Sequence, residues 1–115
     1  ESFTNDISPR WKQTGGNWSL IIKTLNQSDE TIANPNIYTT VQQKSGYSYL
    51  YHWHMKIDGS GTNRRAGLYI MADNPTASQR NNAYMIYFRV DDNTCQIYKA
   101  ENNSIDLKTS DNCTV

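Results

Sequence analysis

The stretch Ala83-Tyr-Met-Ile-Tyr-Phe-Arg-Val90, Asp91-Asp-Asn93, Thr94-Cys-Gln-Ile-Tyr-Lys-Ala100 decides the fold class of this chain. In its first part Tyr84, Ile86, Phe88 and Val90 alternate with Met85, Tyr87 and Arg89. Side chains that change face at every residue mark a strand, because successive Cβ atoms of extended backbone point in opposite directions. Asp91-Asp-Asn93 is a tight turn, so the second part is expected to return antiparallel as the hairpin partner of the first.

Working outward, Ala66-Gly-Leu-Tyr-Ile-Met-Ala72 is a short apolar run that suits a strand buried on both faces. Asp73-Asn-Pro75 ends it, since proline has no N–H for a ladder, and the polar residues Thr76 to Asn82 form a loop. Downstream, Ser104-Ile-Asp-Leu-Lys-Thr109 is a weaker strand. Upstream, Tyr47, Tyr49, Tyr51, Trp53, Met55 and Ile57 alternate with mostly polar residues, predicting a half-buried strand that the glycine-bearing turn Asp58-Gly-Ser-Gly-Thr-Asn63 breaks. Trp18-Ser-Leu-Ile-Ile-Lys-Thr-Leu25 and Asn36-Ile-Tyr-Thr-Thr-Val-Gln43 are two further β segments, and Gln27 to Ala33 has room for one helical turn. No stretch carries a convincing 3.6-residue period. About seven strands spaced by turn signals predict an all-β, antiparallel β-sandwich or jelly roll, one domain over residues 1–115, with Trp53 and Phe88 in its core.

The composition narrows the function. Eleven basic and eleven acidic residues give a formal net charge of zero, which argues against nucleic-acid binding, since displacing phosphate counterions needs a positive surface. It also gives no electrostatic reason to sit on an anionic membrane, and no transmembrane run is present. Mean hydropathy is −0.78, yet eight Tyr, three Trp and two Phe placed in regular patterns oppose disorder. The polarity comes from Asn, Ser and Thr, which favour turns and exposed β faces. The opening Glu1-Ser2-Phe3 reads as the start of a mature or excised piece. Cys95 and Cys113 suit one disulfide, worth roughly 3 kcal/mol in the loop-entropy model, or two reduced structural thiols; no Cys/His metal spacing occurs. The disulfide reading places the chain outside the cytoplasm, secreted or at the cell surface.

The run Arg65-Ala-Gly-Leu-Tyr-Ile-Met-Ala72, a polar loop, Asn82-Ala-Tyr-Met-Ile-Tyr-Phe-Arg89 and Gln96-Ile-Tyr-Lys99 resembles the central hairpins of concanavalin A-like (laminin G-like) jelly rolls. These include 3-keto-disaccharide hydrolase-like modules and many adhesion or sugar-binding domains. The resemblance spans about Tyr47 to Leu107 and rests mostly on β patterning. It implies further strands after the present end, beginning with one that contains Trp. The chain is then either a compact variant or a piece whose sandwich a second chain completes.

Catalytic chemistry finds few footholds. Glycoside hydrolysis needs two carboxylates across the scissile bond, whereas Asp91 and Asp92 are adjacent in a turn and Glu30, Glu101 and Asp106 are scattered. His52 and His54 alternate on one predicted strand, so both rings would share a face and with an acidic neighbour could ligate a metal. Asp73-Asn74 and Asp91-Asp92-Asn93 offer hard oxygens at strand ends, which calcium would suit as a cofactor; turn formation is the alternative role.

Aromatic residues offer more. Tyr38, Tyr69, Tyr87 and Tyr98 cannot all be core if their strand faces alternate, and Arg64, Arg65, Arg80 and Arg89 fall near the same loops and faces. The expected function is a non-catalytic module of a larger secreted protein that binds carbohydrate or another surface polymer in adhesion. Its expected ligand contacts are Tyr69, Tyr87, Tyr98, Arg65, Arg89 and Asn82, with rings stacking on sugar and polar groups bonding hydroxyls. The second reading is part of a glycan-degrading hydrolase with the concanavalin A-like fold, using His52, His54 or the Asp91 region.

Overall fold

The computed structural model describes residues 7 and 9–114; the opening Glu1-Ser2-Phe3 lies outside them. Within these residues the chain is all-β and antiparallel, as expected, with eight strands where about seven were expected and no helix. Contacts divide the chain between Trp53 and His54 into two compact units.

The first unit holds two two-stranded pairs. β1 (Lys12–Gln13) pairs with β4 (Ile37–Tyr38), and β2 (Trp18–Ile21) with β3 (Thr24–Gln27). The continuous strand expected over Trp18–Leu25 is therefore folded into a hairpin, with Ile22 and Lys23 at its tip in left-handed backbone, φ 49° and 63°. Neither glycine nor asparagine marks that turn, and Ile22 is 92% exposed. The strand expected at Asn36–Gln43 shrinks to Ile37–Tyr38. No helical turn forms after Gln27: the Asp29 carboxylate accepts the backbone N–H of Thr31 (2.9 Å) and its hydroxyl (2.6 Å), a local bond that competes with helix.

The second unit is a four-stranded sheet in the order β5 (Arg65–Ile70), β6 (Ala83–Arg89), β7 (Thr94–Glu101), β8 (Ser104–Asn112). Each strand lies beside its neighbour in sequence. The hairpin read from the sequence is present, with Arg89 opposite Thr94 and Ala83 opposite Ala100. β7 and β8 are joined by Asn102 and Asn103, both left-handed (φ 50° and 63°), the conformation that a two-residue turn between twisted strands requires and that Asn tolerates. A bulge makes Lys108 the extra residue of β8, between Leu107 opposite Tyr98 and Thr109 opposite Ile97. Just beyond β8, Cys113 is disulfide-bonded to Cys95, with Cα atoms 5.8 Å apart, and its N–H donates to the Asn93 carbonyl (2.8 Å). The bond ties the end of β8 to the start of β7.

Three further expectations change. β5 is an edge strand, and none of its residues is fully buried, so the run is not covered on both faces. The most buried apolar side chains are Ala83, Met85 and Ala100, on the face opposite to Phe88; Phe88 and Trp53 are half-buried. Tyr47–Ile57 forms no strand, and its alternation survives in burial only in part: Tyr51, Trp53 and Ile57 are half-buried, whereas Tyr47, Tyr49 and Met55 are exposed along with Leu50. A periodic pattern specifies which side chains turn inward, but a strand also needs a neighbouring ladder to take its backbone groups.

Candidate functional site

Cross-strand partners in an antiparallel sheet share a face. Three rows cross β5, β6 and β7 on one such face: Arg65, Arg89, Thr94; Gly67, Tyr87, Gln96; and Tyr69, Met85, Tyr98. Five of the six expected ligand contacts, Arg65, Tyr69, Tyr87, Arg89 and Tyr98, therefore stand on one surface. All three tyrosines are half-buried.

Gly67 makes room for Tyr87. A Cβ there would strike the Ile86 carbonyl oxygen and come within 2.9 Å of the Tyr87 ring, so the ring lies against bare backbone. Burial pushes the phenols of Tyr87 and Tyr69 above their ordinary pKa, keeping both as neutral hydroxyls. The Tyr98 hydroxyl donates to Oε1 of buried Gln96 (2.9 Å), whose amide donates weakly to Ser110 Oγ (3.4 Å). The Tyr69 hydroxyl donates to Gln79 Oε1 (3.2 Å), and the Arg80 guanidinium lies 5.3 Å from the centre of its ring. Arg80 is itself buried, with Nη1 donating to the carbonyls of Ala77 (2.5 Å) and Ser78 (3.2 Å).

Arg65 and Arg89 are directly opposite each other, an arrangement of like charges that destabilises a sheet unless compensated. Asp91 compensates it. Its Oδ2 accepts from Arg65 Nη2 (2.9 Å) and Arg89 Nη2 (2.8 Å), and its Oδ1 accepts from Arg89 Nε (3.3 Å). The hydrogen bonds from Arg89, then from Arg65, hold the Asp91 carboxyl down at about 2 despite partial desolvation, and the Asp91 bond raises Arg89. Asp92 adds a second carboxylate 3.3 Å from Arg89 Nε.

Asn82 is at the other end of the sheet, roughly 20 Å along β6 from Arg89 at about 3.3 Å per residue. Its N–H and side-chain amide donate to Asp73 (3.0 and 2.6 Å), and its Oδ1 accepts the N–H of Asn102 (3.1 Å). Asn81 also donates to Asp73 (3.1 Å), and Asn103 Oδ1 accepts the N–H groups of Gln79 and Asn81 (3.2 and 3.0 Å). Asn82 thus clamps the β5–β6 loop to the β7–β8 turn. A hollow of about 230 Å³ between Met71, Tyr84 and Lys99 includes Asn82 and none of the three tyrosines.

The expected calcium ligands are engaged otherwise. Asp91 serves two guanidiniums, Asp92 Oδ1 accepts from Thr94 Oγ1 (2.5 Å), and Asn93 supplies the left-handed residue of the turn. Asp73 is filled by amide donors, which also lower its pKa, and Asn74 Oδ1 closes a turn on Thr76. His52 and His54 are exposed on a segment without a ladder, so strand alternation does not set their common face. Among the described residues no three His, Cys, Asp or Glu side chains come together as a metal-holding group.

Gln96, Gln79 and Met85 were not read as site residues. Gln96 and Met85 share strand parity with Tyr98 and Tyr87, a signal present in the sequence, whereas Gln79 is brought in only by the loop. Among the described residues no helix is long and apolar enough to cross a membrane. The disulfide is compatible with an oxidising compartment. In comparison with known proteins, the chain matches no protein-family model, no curated protein and no solved structure.

Proposed function

We propose that this chain is a non-catalytic, secreted or cell-surface module that binds carbohydrate or another surface polymer through the β5–β7 face, with the wider concanavalin A-like jelly roll as its architecture. The observation that carries the reading is the alignment of Tyr69, Tyr87 and Tyr98 with Arg65 and Arg89 on one side of a disulfide-tied sheet. Half-buried rings give a stacking platform whose conformational freedom is already spent. Tyr98 and Tyr69 are oriented by Gln96 and Gln79, and Asp91 orients both guanidiniums. Sugar C–H faces would stack on the rings, and hydroxyls would bond the polar rim.

The test is a glycan and polysaccharide binding screen of the full chain beside Tyr87→Ala and Tyr98→Ala. Binding that falls about fivefold or more in each variant, as expected when a ring contributing about 1 kcal/mol or more is lost, supports the reading. Binding unchanged in both variants sinks it.

A further inference from the structure

We infer that the ligand of this face is uncharged, a neutral glycan in preference to a uronate, sulfated or phosphorylated polymer. The inference deepens the proposed polymer-binding role and rests on it. A receptor for anions must present guanidinium N–H edges and positive charge to the incoming group. Here both candidate guanidiniums are turned onto Asp91, at 2.9 and 2.8 Å, and Arg89 also has Asp92 at 3.3 Å. Two cations and two carboxylates leave this corner of the face without net charge.

The Asp91 side chain is only 15% exposed, held between the guanidiniums. An incoming carboxylate or sulfate would have to displace it or lie beside it against like charge. A further cation near the tyrosines, Arg80, is buried, lies on the Tyr69 ring and donates to its own loop's carbonyls. The whole chain balances eleven basic against eleven acidic residues, so its net charge supplies no long-range attraction for polyanions. What the face presents is aromatic surface and neutral or internally neutralised hydrogen-bonding groups, complementary to C–H faces and hydroxyls.

The experiment is affinity electrophoresis of the disulfide-intact chain through gels holding a β-glucan, a mannan, a xylan, polygalacturonate or heparin. Binding to any retarding polymer is then titrated from about 50 to about 500 mM NaCl, a range over which the screening length falls severalfold. The expected result is retardation by at least one neutral polymer, with affinity changing less than about twofold across the salt range, and none by the polyanions. Asp91→Asn, which removes the carboxylate charge the two guanidiniums share and leaves only Asp92 beside Arg89, is expected to gain salt-sensitive retention by heparin; the wild-type titration decides the question if that variant does not fold. Wild-type retention by heparin or polygalacturonate that salt abolishes overturns the inference and leaves the polymer-binding role standing. Retardation by none of the five overturns that role, and the inference with it.

Discussion

Two turns in this molecule have the same backbone and opposite sequences. Asn102-Asn103 joins β7 to β8 and Ile22-Lys23 joins β2 to β3, each with two consecutive left-handed residues. The first uses the residue type that tolerates this conformation and adds side-chain bonds: Asn103 Oδ1 ties down Gln79 and Asn81. The second places a β-branched residue there, with its side chain 92% exposed. The contrast extends to the units that contain them. The sheet of β5–β8 has matched turns, a side-chain clamp between loops and a disulfide, whereas the first unit has strands of two to four residues. Regularity accumulates where each local choice supports the same pairing.

The largest expected effect comes from removing the staple of the ordered half. Cys95→Ser with Cys113→Ser frees a loop whose closure is worth roughly 3 kcal/mol in the chain-entropy model. Thermal unfolding of the oxidised and reduced chain should differ by more than about 10 °C at the several degrees per kcal/mol typical of small domains. A difference of a degree or two would mean that the β7–β8 pairing stands without it. A somewhat smaller loss, about 1–3 kcal/mol as for overpacking, is expected of Gly67→Ala, because the added Cβ meets backbone oxygen and the Tyr87 ring. Denaturant unfolding reads it; wild-type stability in that variant would mean that Tyr87 does not lie against residue 67.

These two substitutions mark what was legible. Cys95 and Cys113 were visible as a pair, and the β6–β7 alternation, with Asp91-Asp-Asn93 as turn, led directly to the hairpin. Strand alternation also put Tyr87 and Arg89 on one face, whereas Tyr98 and Arg65 join them only through the cross-strand register. The unreadable parts depended on pairing across sequence. Tyr47–Ile57 has the most regular alternation of all, yet the Asp58–Asn63 connection carries two glycines that are costly to order, and no ladder forms. Asp91 looked like a turn former or a calcium ligand. Its role follows from Arg65 and Arg89 being opposite each other, a register that no short-range pattern announces.

The ion-pair corner should separate from the rest of the sheet in acid. A carboxyl whose pKa is lower folded than unfolded stabilises the fold above its unfolded value, and that contribution is lost as pH falls through the folded value. For Asp91 the window runs from the ordinary 3.8 down to about 2. Wild-type chain is expected to be more stable than Asp91→Asn at pH 6, and the gap should close across this window in acid-unfolding curves. A gap that persists unchanged at about pH 2 would show that something other than the charge of Asp91 holds the two guanidiniums.

The smallest effect returns to the mismatched turn. Left-handed backbone costs an ordinary L-residue roughly 1–2 kcal/mol, while asparagine and glycine visit it readily. Ile22→Asn with Lys23→Gly should therefore stabilise the β2–β3 hairpin by about 1 kcal/mol, partly offset by the greater freedom glycine gives the unfolded chain. Ile22 loses little burial in the exchange, being 92% exposed. Amide hydrogen exchange of Ser19, Ile21 and Asn26, whose pairs Ser19–Asn26 and Ile21–Thr24 are the hydrogen-bonded ones of this ladder, reports that hairpin directly and should slow about fivefold for such a change. The same exchange in β7 and β8 serves as the internal reference, since Asn102-Asn103 already has the residues its turn requires. Slower exchange in the first hairpin alone would bring its turn closer to the second. Faster exchange there would mean that Ile22 contributes through a contact in the hairpin that outweighs the strain of its own backbone.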